Sequence, residues 1–382
     1  MIAIPILHLK AARKLLTRLR FERLKLPVLN HVLATLSPAG LTLAVTDLDH
    51  WLETRLPSSI HSDEARHFLI PAQALAAAVK GDKGSTARFE CGDNPEKPSL
   101  CLTVTCGGMQ VETIYHPEPA KDFPQRPSIQ GRITAVPKET LMALGKIAGC
   151  ASTDSTRDLL NGVLFSPEDG GRLIATDGRR LAGAPARVPA RAFVLPNAAV
   201  HVLGHSDFST RDAAILQDEN VSCEHMQFRS GPHTLIAKRI DGSYPNYRQV
   251  IPPPIHESVT IPEDRRPALI AWLRSLGADV NSVRLSFEIP GHLTLTHRNR
   301  EQVAGTLQVP VTTQGQSPVM CFDPKYLAEA LDFGATLHLG GHLHLGMVGE
   351  PSGEFCLLMS RRDSVEPVIH PTNATQTAAI AA

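Results

Sequence analysis

Three groups of residues in this chain have types and spacings that could do chemistry. Leu337-His-Leu-Gly-Gly-His-Leu-His-Leu345 puts His338, His342 and His344 in one short segment, as a metal site would. Asp177 is followed by Arg179 and Arg180, a carboxylate among guanidiniums that invites an acid–base reading. Gly81-Asp-Lys-Gly-Ser85 resembles a fragment of a phosphate-binding loop. Each has a plainer reading. Alternate residues of a strand share a face, so the leucines of the first segment would pack inward and its histidines face water, with no acidic or cysteine ligand near in sequence. A lone carboxylate among arginines suits a turn held by charge-assisted hydrogen bonds. The chain has no His-Glu-x-x-His, no Gly-x-Ser-x-Gly elbow and no complete Gly-x-x-x-x-Gly-Lys loop. We therefore expect no catalytic site, no metal site and no cofactor.

The bulk numbers narrow the class. A chain of 382 residues with 42% apolar and 20% charged side chains has room for two or three domains, each with its own core. Its 38 basic and 38 acidic side chains cancel, so any nucleic-acid contact must come from local charge. The cysteines (Cys91, Cys101, Cys106, Cys150, Cys223, Cys321 and Cys356) are odd in number and contain no Cys-x-x-Cys pair. This argues against a zinc ribbon or a disulfide framework and for reduced thiols in a cytoplasm. The basic residues follow the apolar N-terminal stretch instead of preceding it, unlike a signal peptide, and no apolar run has membrane-spanning length, so the expectation is a soluble cytoplasmic protein without membrane contact.

The elements that must position any site recur along the chain. An apolar strand end, a proline and a helical pattern follow one another in Phe68-Leu-Ile-Pro71, Phe193-Val-Leu-Pro196 and Cys321-Phe-Asp-Pro324. A second marker keeps the same order: a glycine, an alternating strand, then Thr with a polar residue, as in Gly40 to Thr46-Asp47, Gly171 to Thr176-Asp177 and Gly291 to Thr296-His297. A helix-like segment opens each repeat, at residues 9–19, 138–147 and 263–276, the last two after Pro137 and Pro262. Strands and helices together in each of three similar repeats predict an α+β fold, with boundaries at 1–127, 128–253 and 254–371 and a tail at 372–382.

Charge is placed unevenly. In the first helix segment Leu9, Ala12, Leu16 and Leu19 make an apolar stripe, whereas Lys10, Lys14 and Arg18 share another face, joined by Arg13 and Arg20. Taken alone this is a solvated face, a membrane-surface helix or a DNA contact. Arg23, Lys25, Lys80, Lys83, Lys138, Lys146, Arg265, Arg266, Arg274 and Lys325 extend the pattern to the other helix segments, where they could meet phosphates without reading sequence.

Leu160-Asn-Gly-Val-Leu-Phe165, Ala175-Thr-Asp-Gly-Arg-Arg-Leu-Ala182 and Ile240-Asp-Gly-Ser-Tyr-Pro-Asn-Tyr-Arg-Gln-Val-Ile-Pro252 closely resemble the bacterial sliding clamp, the beta subunit of DNA polymerase III. Leu26-Pro-Val-Leu29 and Val45-Thr-Asp-Leu48 resemble its first domain, Phe322-Asp-Pro-Lys-Tyr-Leu327 its third, and Val368-Ile-His-Pro371 its end. The resemblance implies a non-enzymatic, head-to-tail homodimeric ring with helices lining a central hole and antiparallel sheets outside. Such a ring encircles double-stranded DNA without sequence preference, is loaded by an ATP-driven clamp loader, and tethers DNA polymerase III and other proteins carrying a clamp-binding peptide.

By position, the resemblance makes Arg23 and Arg157 DNA-facing, to which helix charge adds Lys10, Lys14 and Lys80. It puts a partner-peptide pocket at Leu160, Thr176, Gly178, Arg179, Leu181, Pro245, Val250, Val368, His370 and Pro371. Residues 111–115 and the region of Leu276 are candidates for the ring interface. The chain departs from the family pattern at Gln73, Ala74, Asn197 and Ala198, where basic residues are common, and at Gln249, His370 and Thr372 in the pocket. The small-residue tail at 372–382 reads as flexible, or alternatively as a cover for the pocket. Two other classes stand beside the replicative clamp: a divergent ring serving repair or mobile-element proteins, and an enzyme built on three repeats, which would need clustered catalytic groups.

Overall fold

Pro5 fixes the backbone at the start of the first helix, α1 (Ile6–Leu16), whose buried Ile6, Leu9, Ala12, Leu15 and Leu16 set its inner face. A tighter turn, Thr17–Leu19, continues it and buries Leu19, so the predicted stripe holds while the helix starts three residues earlier. The computed structural model describes residues 1–57, 66–92, 94, 96–204, 208, 212–217, 224–299, 302–316, 318–340 and 345–361. The chain divides into two compact units, Met1–Asn246 and Tyr247–Ala382. Among the described residues no helix is long and apolar enough to cross a membrane.

In the first unit, α1 is followed by α2 (Ala72–Ala78), α3 (Lys138–Ile147) and α4 (Asn197–Leu203). Each begins directly after a proline, Pro71, Pro137 or Pro196, whose preset φ suits a helix start. One antiparallel sheet joins, in order, Arg66–Pro71, His31–Ser37, Gly40–Thr46, His50–Arg55, His233–Lys238, His225–Ser230, Ala213–Gln217 and Arg132–Val136. Its central ladder pairs Leu52 with Leu235 and Trp51 with Ile236, linking strands far apart in the chain. A second sheet joins Ile2–Pro5, Thr86–Cys91, Leu100–Cys106 and Met109–Tyr115. The last of these pairs with Leu100–Cys106 along one side and leaves Met109, Val111 and Ile114 exposed. Strands Phe193–Pro196, Gly162–Ser166, Arg172–Thr176 and Arg180–Pro185 lie side by side in another sheet.

The second unit has the same components. Helix α5 (Arg266–Ser275) and helix α6 (Pro324–Ala330) accompany two runs of antiparallel strands. One is Gln302–Pro310, His292–Asn299, Val283–Ser286 and Met320–Phe322; the other is Phe355–Met359, Leu345–Gly349, Thr336–Gly340, Ser258–Thr260 and Thr312–Gln314. The helix predicted at 263–276 begins later, because 263–265 form a turn and Pro267, not Pro262, occupies the helix start. Asp323 caps α6, accepting hydrogen bonds from the backbone N–H of Lys325 and Tyr326.

The chain between the second sheet and Arg132–Val136 is strapped across the first sheet. Phe123 meets Trp51 edge to face at 5.9 Å, within a core that includes Ala44, Leu69 and Ile236. The Arg126 guanidinium donates to both Glu53 oxygens at 3.0 and 3.1 Å and to Gln227 Oε1 at 3.2 Å, and the Trp51 indole donates to Glu53 at 2.8 Å. Glu53 is thus the acceptor on which the strap closes. Replacing it with alanine should lower unfolding free energy by about 1–3 kcal/mol, the cost of losing charge-assisted bonds at a half-buried position, as read by denaturant unfolding. An unchanged midpoint would show that the Glu53 bonds to the strap carry no stability.

Candidate functional site

The turn at Thr176-Asp177-Gly178-Arg179-Arg180 joins two neighbouring strands and is closed by its own side chains. The Thr176 hydroxyl donates to the Arg180 carbonyl at 2.6 Å and accepts from the Gly178 N–H at 3.1 Å. Asp177 Oδ1 accepts from the N–H groups of Arg179 and Arg180 at 2.9 and 3.1 Å, and its Oδ2 from Arg180 Nε at 3.0 Å. The Arg180 side chain is buried and also donates to the Gly149 carbonyl. This is the turn expected from the sequence: Asp177 and Arg180 are structural, and their buried pair is satisfied on both sides.

Thr46-Asp47-Leu48-Asp49-His50 builds the same turn. The Thr46 hydroxyl donates to the His50 carbonyl at 2.7 Å and accepts from the Leu48 N–H at 3.1 Å, while Asp47 accepts from the His50 N–H at 2.7 Å. Leu48 has φ +83° where Gly178 has φ +84°, so one copy holds a leucine in the region that favours glycine. The third marker differs: its strand runs on to Asn299 with a bulge between His297 and Arg298, because His297 supplies no carboxylate to close the turn.

Around the 176–180 turn the structure gathers much of the expected pocket. The loop before Gly162–Ser166 carries Arg157 and Leu160, held by Leu160 N–H to the Arg157 carbonyl at 2.9 Å and Ser152 N–H to the Leu160 carbonyl at 2.8 Å. Arg157 Nη1 reaches the Asp177 carbonyl at 3.4 Å, and a Cβ built on Gly178 would stand 3.0 Å from it. Arg157, carried over as DNA-facing, is therefore grouped with Thr176, Gly178 and Arg179. Leu160 and Thr176 are half-buried, and Gly178, Arg179 and Pro245 are exposed. Leu181 is buried and faces the core. Nearby, Tyr244 is held largely out of water, which pushes its phenol well above the ordinary range. In the other unit Val250 is exposed in the turn Tyr247–Val250. Val368, His370 and Pro371, with the tail at 372–382, lie outside the described residues.

Lys10 and Lys14 project from α1 and Lys80 follows α2; all three are exposed. The side chain of Arg23 lies outside what is described. Two departures from the family pattern acquire physical reasons. Ala74 is fully buried, so in this chain the position packs inward. The Asn197 amide donates to the Ser152 carbonyl at 2.7 Å and its N–H to the Asn161 carbonyl at 2.9 Å, committing that position to the loop that carries Arg157. That role of Asn197 was not anticipated, since its partners are about forty residues away in the chain.

The remaining motifs are structural. Asp82 accepts from the N–H groups of Gly107 and Gly108 at 2.8 and 2.9 Å, which holds its carboxyl below the usual carboxylate range and ties a hairpin turn to the end of α2. Gly81 packs against Ile6 and Val104 with no room for a Cβ, so this segment is a packed turn and no phosphate cradle. Leu337 and Leu339 are buried as expected, but His338 does not simply face water: it is half-buried, 3.3 Å from the Ile255 carbonyl and 3.6 Å from Glu350. Glu350 comes from the far end of a hairpin, invisible to local spacing. His342 and His344 lie outside the described residues. Among the described residues no group of three His, Cys, Asp or Glu side chains is placed to hold a metal.

The fold is that of solved sliding clamps. The chain matches a solved beta sliding clamp of Caulobacter crescentus with TM-score 0.79 and 25% identity over 95% of this chain and 98% of that one. The DNA polymerase III beta subunit of Thermotoga maritima, 17% identical, has the same fold, with TM-score 0.78 over 95% of this chain and 99% of that one. In sequence the chain is 28% identical to the beta sliding clamp of Caulobacter vibrioides over 320 residues, 81% of this chain and 83% of the relative. It is also 28% identical to that of Synechococcus elongatus over 346 residues, 85% and 87% of the two chains. No family model matches. The protein thus has the sliding-clamp fold, and bacterial beta sliding clamps are its relatives over most of its length.

Thr176→Val keeps the shape of the side chain but removes both turn bonds. It should cost about 1–3 kcal/mol in unfolding free energy and speed amide exchange at Gly178. Wild-type exchange at Gly178 in the variant would mean that the hydroxyl does not close the turn.

Proposed function

We propose that this protein is a replicative sliding clamp: three clamp domains per chain, 1–127, 128–253 and 254–371, closing head to tail with a second copy into a ring around duplex DNA. The ring holds DNA by topology, so it needs only weak, sequence-blind phosphate contacts from Lys10, Lys14, Arg23 and Lys80; strong contacts would stop it from sliding. The reading is carried by one observation above the others, the sliding-clamp fold over 95% of the chain. The neutral net charge fits it, because a coating protein would need an excess of basic residues. The exposed edge at Met109–Tyr115 supplies a strand for pairing with the other copy, and the region of Leu276 is the candidate for the opposite end.

In this reading the protein is not an enzyme and carries no cofactor. A clamp loader spends ATP to open the ring in the cytoplasm, and DNA polymerase III and other partners dock by a short peptide. The docking pocket is the 176–181 turn with Leu160, Pro245, Val250, Val368, His370 and Pro371, and Arg157 joins it instead of the DNA face. Its contact with the Asp177 carbonyl supports that reassignment. The alternative of a ring serving repair or mobile-element proteins has less support, since the named relatives are beta sliding clamps and a structural neighbour is a DNA polymerase III beta subunit.

With a bacterial clamp loader, ATP and DNA polymerase III on primed circular DNA, the wild-type protein should lengthen the product made per binding event. Val250→Glu puts a charge on an exposed apolar anchor and should reduce that gain roughly tenfold or more, with loading unchanged. No lengthening by the wild type would overturn the proposed function; full activity of Val250→Glu would remove Val250 from the pocket.

A further inference from the structure

The basic face of α1 has a counterpart within the first unit that the partner pocket does not use. Lys14, Arg18, Gly145, Ala148, His201 and Gly204 line an open groove of about 410 Å³ formed by α1, α3 and α4. Its depth has a clear cause. Helices α3 and α4 meet at two glycines: a Cβ built on Gly204 would lie 3.3 Å from Gly145 Cα, and one on Gly145 would lie 3.7 Å from Gly204 Cα. Backbone touches backbone at this crossing, and Val200 completes the floor beside it.

The rim is cationic. Lys14 and Arg18 lie four residues apart on the exposed face of α1 and its continuation, opposite the buried stripe. Neighbouring Arg13 is neutralised by Glu22 at 2.9 Å, but Lys14 and Arg18 form no ion pair among the described residues. No acidic residue lines the groove. Helix α4 contains no lysine or arginine; its one group able to donate to an anion from this face is the exposed His201, a turn beyond Asn197, whose amide is already bonded to Ser152.

We propose that Lys14, Arg18 and His201 form a seat for one backbone phosphate of duplex DNA, with the glycine floor allowing the strand to approach closely. An ammonium, a planar guanidinium fork and an imidazole N–H lining one groove suit the several oxygens of a single phosphate. This rests on the sliding-clamp reading and adds to it a defined point of contact, where α4 contributes through a histidine. It predicts that Lys14 and Arg18 act on the same phosphate and are not additive.

The test is binding of the full-length protein to a short fluorescent duplex across a salt series. Each neutralised phosphate contributes about 0.9 to the slope of log affinity against log salt. The double variant Lys14→Ala/Arg18→Ala should lose about 0.9, one contact, and each single variant should lose little of that, because the remaining cation still neutralises the phosphate. His201→Ala should weaken binding about threefold, the scale of one lost hydrogen bond, and His201→Lys should restore it. Lys121→Ala, paired with Glu96 on the strap, should match wild type. A slope equal to wild type in the double variant, or a loss of about 1.8 from two independent contacts, would overturn the seat. Retention of wild type on circular but not linear DNA, measured alongside, separates failure of the seat from failure of the clamp reading.

Discussion

The first unit depends on the antiparallel ladder between His50–Arg55 and His233–Lys238, which ties strands almost two hundred residues apart into one sheet. Backbone N–H and C=O groups at a sheet edge need partners, and here each edge satisfies the other. With that pairing made, Leu52 and Leu235 share the buried face, while Trp51, Glu53 and Gln227 share the other face and receive the strap through Phe123 and Arg126. Helices α1, α3 and α4 are then brought together, with the Gly145–Gly204 contact setting how closely two of them cross. A side chain at either glycine would push the helices apart and close the basic groove between them.

The repeated Thr-Asp turn shows how one solution serves two purposes. At Thr46 it simply ends a hairpin, with His50 against Asp47 at 3.0 Å. At Thr176 the same bonds carry Gly178 and Arg179 outward beside Arg157, and the buried Arg180 anchors the turn to Gly149. Between these two copies the exposed part varies, and the closing threonine and aspartate do not. The proposed docking pocket would thus be mounted on a rigid element.

Much of the fold was legible because it rests on local rules. Prolines 71, 137 and 196 mark three helix starts, the apolar stripe of α1 is the one its spacing predicts, and Asp177 is the turn residue its neighbours suggest. What was not legible comes from contacts distant in the chain. Arg157 meets Asp177 only because two strands fold side by side, and Glu350 reaches His338 across a hairpin. His201 gains meaning only once two glycines bring α3 and α4 together. A histidine in a short apolar helix looks like core or surface noise until its neighbours are known.

The central claim is that this fold holds DNA by encircling it. The most direct measurement is retention of the labelled protein on circular duplex DNA, before and after a single cut, following loading with ATP and a clamp loader. Retention on circles through a salt wash, with rapid loss on linearisation, is the result expected of a closed ring. Equal retention on circular and cut DNA, falling together as salt rises, would mean ordinary electrostatic binding and would contradict the account.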